Sequence, residues 1–154
     1  LSNKIKFKKK DKLFFVDKYY KPELPLNLTK YLLKFANSSI DVSDGLIDDL
    51  AKMINRQSLS FHLFENKIPV SNKLSNLIKK QRLNKINLIS NGDDYQVLFT
   101  ADIKKARIIQ KASKTTGIKI TKIGKIVSGK DRSLIFDEKG KQIRAKSKGY
   151  IHRF

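Results

Sequence analysis

The feature that most constrains the fold is a change of hydrophobic period between residues 39 and 54. Ser39-Ile40-Asp41-Val42 reads as a short extended run, after which Leu46, Ile47, Leu50, Met53 and Ile54 repeat at helical spacing. That change marks a strand-to-helix junction, with Ser43 or Asp44 as the candidate helix cap. The junction is acidic, carrying Asp41, Asp44, Asp48 and Asp49 in a chain whose formal charge is +20. Carboxylates gathered at a helix N-terminus, beside unpaired backbone N–H groups, have the oxygen chemistry that holds a hard cation such as Mg²⁺ and the phosphates accompanying it. A plainer reading is that Asp44, Asp48 and Asp49 only complement the helix dipole. Taken alone, the motif favours that plainer reading.

The rest of the chain alternates helical and extended segments. Pro22 and Pro25 break regular structure and set up a helix from Leu26 or Asn27 through Phe35. Residues 58–64 alternate as a strand closed by Pro69, Ser71 is placed to cap a short helix with Leu74, Leu77 and Ile78, and residues 82–90 fit neither period. Val97 to Thr100 is extended. Asp102 caps a helix holding Ile103, Ala106, Ile109 and Ala112, which Gly117 ends. Residues 118–127 largely alternate, and Ser133 to Phe136 precedes the turn Asp137-Glu138-Lys139-Gly140 and a last strand over about 141–146. The late hairpins require antiparallel pairing. The expected fold is therefore α+β, with one mixed, largely antiparallel sheet covered by helices.

At 154 residues the chain suffices for one domain with its own core. The absence of cysteine excludes thiol catalysis, disulfides and zinc-thiolate sites, and agrees with a cytoplasmic protein. The apolar run Leu13-Phe14-Phe15-Val16 is too short for a membrane span. Residues 1–21, rich in lysine and aromatics without a clear helical stripe, are expected to be a basic interdomain linker, and residues 22–154 the domain. The chain begins with Leu1, so a piece of a longer protein is expected. The positive charge invites a nucleic-acid reading. Only six of the 34 basic residues are arginine, however, whereas bidentate base recognition and stacking favour arginine. This weighs against nucleic acid as a partner. His62 lies in an alternating strand and reads as half-buried rather than as a ligand.

A second stretch, Asn91-Gly92-Asp93-Asp94-Tyr95-Gln96-Val97-Leu98-Phe99-Thr100, is a turn with two adjacent acids feeding an apolar strand. With the Asp41 junction before it and Gly149-Tyr150-Ile151-His152-Arg153-Phe154 after it, the order resembles the C-terminal half of the thiamine-monophosphate kinase family. The pattern there reads D-[IV]-S-D-G-L, then G-G-[DE]-D-Y-[EQ]-L-x-F-T, then G-[YW]-x-H-F. The resemblance covers about residues 18–154 and implies the C-terminal domain of the aminoimidazole-ribonucleotide-synthetase-like superfamily, with an N-terminal domain missing. It implies that Asp41 and Asp44 help hold Mg²⁺ on the nucleotide, that Ser43 contacts ATP, that Asp93 contacts the thiamine moiety, and that Tyr150 packs on its ring. Asn91 replaces the first glycine of the family's pair, a mild departure because asparagine tolerates a left-handed backbone. Arg153 interrupts the family's His-Phe ending, which weakens the Tyr150 match.

The implied reaction moves the γ-phosphoryl of ATP onto the phosphate of thiamine monophosphate, giving thiamine diphosphate and ADP. No protein group need act as general base, since a phosphate monoester is mostly dianionic at neutral pH, with a second pKa of about 6. The resemblance also implies a cytoplasmic enzyme and leaves a homodimer open. Three rival readings remain: another enzyme of the same superfamily, a non-catalytic basic nucleic-acid-binding module, and a purely structural piece.

Overall fold

The structure, a computed structural model, describes residues 5–54 and 57–145. Helix α1 (Lys9–Tyr20) comes first, and a 3-10 turn (Leu26–Leu28) runs into α2 (Thr29–Phe35). Strand β1 (Ala36–Asp41), helix α3 (Leu46–Met53) and strand β2 (Leu59–Phe64) follow. Next are α4 (Asn72–Gln81), α5 (Lys85–Ile89), β3 (Val97–Ala101) and α6 (Ala106–Thr116), and last β4 (Gly124–Ser128), β5 (Leu134–Phe136) and β6 (Gln142–Ile143).

Local chemistry sets many of these boundaries. Ser71 Oγ accepts the Leu74 N–H at 3.2 Å and starts α4. Asp102 Oδ1 accepts the Lys104 N–H at 2.7 Å, and a 3-10 turn there continues into α6. Gly117, at φ +70°, ends α6 in the left-handed conformation that glycine adopts without steric cost.

The fold is α+β, and its strands divide into two sheets rather than one. β1 and β3 form an antiparallel ribbon in which Ser39 faces Phe99 and Asp41 faces Val97. The second sheet has the order β4-β2-β5-β6, with β2 antiparallel to β4 and parallel to β5. Two cores result. The larger joins Val42, Leu46, Ile47 and Leu50 to Phe61, Leu63, Ile86 and Ile135; the smaller joins Leu28, Phe35 and Ala112. Successive strand residues point to opposite faces, so Leu98 packs on the larger core while Phe99 packs on the smaller, its ring centroid 5.2 Å from that of Phe35. The β1–β3 ribbon thus lies between the cores, and its Asp41–Val97 end carries both motifs.

Four expectations change. Residues 9–20 are helical although no residue of α1 is buried; lysine is a good helix former, and Lys73 of α4 anchors the helix through Asp11 at 3.6 Å and over the Phe14 ring at 4.8 Å. Residues 118–122 alternate without pairing as a strand, because β2 registers with 124–128 and ends at Phe64, whose N–H donates to Ile123 O at 3.0 Å, and Ile118 and Ile120 pack on the smaller core instead. The 82–90 stretch contains α5, whose Ile86 and Ile89 are buried. The last strand shortens to Gln142–Ile143. His62 is half-buried, with its ring edge-on to Phe136 at 5.5 Å.

Candidate active site

The loop between β1 and α3 is not capped by Ser43 or Asp44. The residue at the cap position is Gly45, at φ +127°, and the capping carboxylate comes from inside the helix. Asp49 Oδ2 accepts three successive backbone N–H groups, from Ser43 at 3.0 Å, Asp44 at 3.0 Å and Gly45 at 3.1 Å. Asp49 is only 1% exposed, so these bonds form away from solvent, where a charged acceptor needs its partners. Apolar periodicity explains the rest: Leu46, Ile47 and Leu50 turn α3 into the larger core and carry Asp49 inward beside them.

The second motif is laid against this loop by backbone groups. Val42 N–H donates to Gln96 O at 2.9 Å, Tyr95 N–H to Val42 O at 2.9 Å, and Asp93 N–H to Ser43 O at 2.8 Å. The approach is too close for side chains at two points. A Cβ on Gly92 would lie 2.2 Å from Ser43 O, and one on Gly45 would lie 2.4 Å from Ser90 O. Asp93 (φ +61°) and Tyr95 (φ +50°) occupy the left-handed region, an uncommon state for non-glycine residues that turns both outward. Tyr95 O–H donates to Asp93 Oδ1 at 3.4 Å. The Asp93 charge beside it holds the Tyr95 hydroxyl above its ordinary pKa, with desolvation and the nearby Tyr19 and Asp41 adding to the effect. Desolvation of the carboxyl by the surrounding protein, and then the Asp93 charge, raise Asp94 as well, although the residue as a whole is exposed.

Carboxylate oxygens of Asp44, Asp48 and Asp49 all lie within 4.8 Å of one another. This oxygen-only donor set fits a hard divalent cation. The Lys52 ammonium, on the next turn of α3, reaches all three acids: it pairs with Asp44, with Asp48 at 2.7 Å and with Asp49 at 3.4 Å. The hydrogen bonds that it donates to Asp44 and then Asp48 raise its pKa above the lysine range, so it stays charged. A cavity of about 270 Å³ lies elsewhere, lined by Asn27, Lys30, Tyr31, Thr115 and Thr116, and no motif residue lines it.

The structure therefore brings Ser43, Asp44 and Asp93 onto two touching loops. Asp41 ends β1 on the same side, near Tyr95, but is not one of the three clustered acids. Tyr150 lies outside the described residues. The sequence reading gave no site role to Asp49 or Lys52. The signal for Asp49 was its place four residues after Gly45, within reach of the loop from the first turn of α3; the signal for Lys52 was its spacing of four and three residues from Asp48 and Asp49.

No protein-family model matches the chain. A curated thiamine-monophosphate kinase of Buchnera aphidicola subsp. Schizaphis graminum is 32% identical over 140 residues, which are 90% of this chain and 42% of that protein. The thiamine-monophosphate kinase of Aquifex aeolicus is 33% identical over 89 residues, 57% of this chain and 29% of that protein. Among solved structures, AaThiL complexed with AMPPCP and TMP superposes with a TM-score of 0.70 at 27% identity, covering 97% of this chain and 44% of that one. The chain spans less than half the length of these relatives.

Proposed function

We propose, from the chain's homology to the thiamine-monophosphate kinases over about 90% of its residues, that it forms part of an ATP-dependent phosphotransferase converting thiamine monophosphate to thiamine diphosphate. The observation that carries the reading is the interlocking of the two motif loops. Ser43 O accepts the Asp93 N–H at 2.8 Å, and Gly92 packs on Ser43 and Asp44, so a nucleotide-side loop and an acceptor-side loop share one surface. Two substrates that must react in line need such an arrangement.

In this reading the phosphate oxygen of thiamine monophosphate attacks the γ-phosphorus of ATP and ADP leaves. Ser43 contacts ATP through its hydroxyl, since its amide is already given to Asp49. Asp44 and Asp41 hold Mg²⁺, with Asp48 completing the oxygen set at Asp44. The metal, when bound, cancels repulsion between the two anions and screens the transferred phosphoryl group. Asp93 faces the cationic thiamine ring with its carboxylate, and Tyr150 stacks on that ring. Residues 1–21, including α1, join this domain to an N-terminal domain that grips the rest of the nucleotide. Homodimerisation is compatible with the reading. In this reading the protein acts in the cytoplasm. No helix among the described residues is long and apolar enough to cross a membrane.

The test is the formation of thiamine diphosphate from ATP, Mg²⁺ and thiamine monophosphate. The chain alone is expected to give none, and the chain joined behind the N-terminal part of a full-length relative is expected to give robust turnover. Turnover by residues 1–154 alone overturns the two-domain reading. No turnover by a well-folded fusion overturns the activity.

A further inference from the structure

We infer that Asp49 is a positioning residue for the site: its carboxylate takes the place of an anion at the start of α3, fixes the backbone of Ser43 and Asp44, and leaves the loop no backbone amide for an incoming anion. The function it serves rests on the kinase reading; the clasp itself does not.

The start of a helix after a glycine turn ordinarily exposes amide N–H groups that bind phosphate directly. Here the amides of Ser43, Asp44 and Gly45 converge on Asp49 Oδ2 at 3.0–3.1 Å, behind a residue that is 1% exposed. They are spent on the protein's own carboxylate. The loop therefore leaves the Asp44 carboxylate partly exposed and has no free amide at residues 43–45 with which to meet an anion. Phosphate reaches such a surface through a cation or a hydroxyl, not through a backbone nest. The second Asp49 oxygen, Oδ1, meets Lys52 at 3.4 Å, and Lys52 also pairs with Asp44. One buried side chain thus sets both the backbone of the loop and the cation that its outer carboxylate meets.

A wholly structural carboxylate, by contrast, is expected to affect stability alone. Two readouts separate the cases. In residues 1–154, amide hydrogen exchange of Ser43, Asp44 and Gly45 is expected to quicken by at least about tenfold in Asp49→Asn, the loss of charge-assisted bonds being worth that much. The amides of Phe61 and Leu63 in β2 should keep their protection. In the longer protein, Asp49→Asn is expected to raise the KM for Mg²⁺-ATP about tenfold or more while leaving that for thiamine monophosphate within about twofold. Asp49→Ala should show the same pattern, and whichever of the two variants stays folded serves as the test. Unchanged exchange at residues 43–45 overturns the clasp. Quickened exchange with both KM values unchanged overturns the positioning role. If the wild-type longer protein makes no thiamine diphosphate, the kinase reading fails, and the exchange result still decides whether Asp49 holds the loop.

Discussion

The two loops of the site are stabilised in opposite ways. Residues 42–45 are gripped from within, by a buried carboxylate on their own helix and by the apolar face of α3. Residues 91–96 have no such anchor: they rest on backbone groups lent by Val42 and Ser43, and they hold Asp93 and Tyr95 in left-handed conformations. The first loop is autonomous and the second depends on it. The division suits the proposed roles, because the groups proposed to hold the nucleotide end need fixed geometry, while the carboxylate proposed to meet the thiamine ring must stay exposed.

The largest expected effect follows from the glycines between the loops. Gly45→Ala places a Cβ 2.4 Å from Ser90 O at φ +127°, and the clash adds to the backbone strain, for a loss of about 3–4 kcal/mol in denaturant unfolding. Gly92→Ala, with its contact at 2.2 Å and φ +78°, should release the second loop only, so that exchange quickens at Asp93 and Tyr95 but not at Ser43 to Gly45. Gly117→Ala is the control. No atom lies within 4 Å of its Cβ, and only the left-handed penalty of about 1–2 kcal/mol applies. If Gly92→Ala also loosens residues 43–45, the two loops are mutually dependent and the asymmetry is wrong.

Lys52 sharpens the comparison on the autonomous side. Removing its ammonium in Lys52→Ala takes away the cation that Asp44, Asp48 and Asp49 share. The lysine side chain is 46% exposed, so solvent screening holds the expected loss to about 1 kcal/mol or less. Millimolar Mg²⁺ should raise the Tm of this variant more than that of the wild type, since the metal then meets an acidic trio without a resident cation. Equal Mg²⁺ responses would remove the cluster as a cation site. In the longer protein, Asp44→Asn is expected to lower turnover far more than stability.

Much of this architecture can be read from the residues, and what cannot has a common cause. The spacing of Leu46, Ile47 and Leu50, the caps at Ser71 and Asp102, and the stop at Gly117 are local, and each appears where its pattern puts it. The order of the two acidic motifs likewise identifies the homology. Non-local facts escape. An aspartate in the first turn of a helix looks the same whether it only complements the dipole or, as Asp49 does, reaches back to three amides. The alternation of residues 118–122 cannot tell that β2 ends opposite Ile123, and the division into two sheets depends on which strands meet across the chain. Helix α1 is hidden for a different reason: its apolar residues Leu13, Phe14, Phe15 and Val16 are consecutive and so spread around the helix, leaving no stripe to detect.

The smallest expected effect lies in the dependent loop and is visible only as a function of pH. Desolvation, and then the charge of Asp93, raise the Asp94 carboxyl above its ordinary value of 3.8, so the folded state holds this proton more tightly than the unfolded chain does. Stability from this group is therefore fully present below pH 3.8 and is lost as pH rises through the folded-state value. Asp94→Asn removes that dependence. The variant should match the wild type in acid and exceed it in Tm at neutral pH, with the gap opening as the pH rises through that interval. Because the first loop is held from within, exchange at residues 43–45 should be the same in both proteins at every pH. A Tm gap that stays constant from acid to neutral would mean that Asp94 is not desolvated by the loop around it. A gap accompanied by changes at residues 43–45 would mean that the first loop depends on the second, contrary to the order of dependence drawn from their hydrogen bonds.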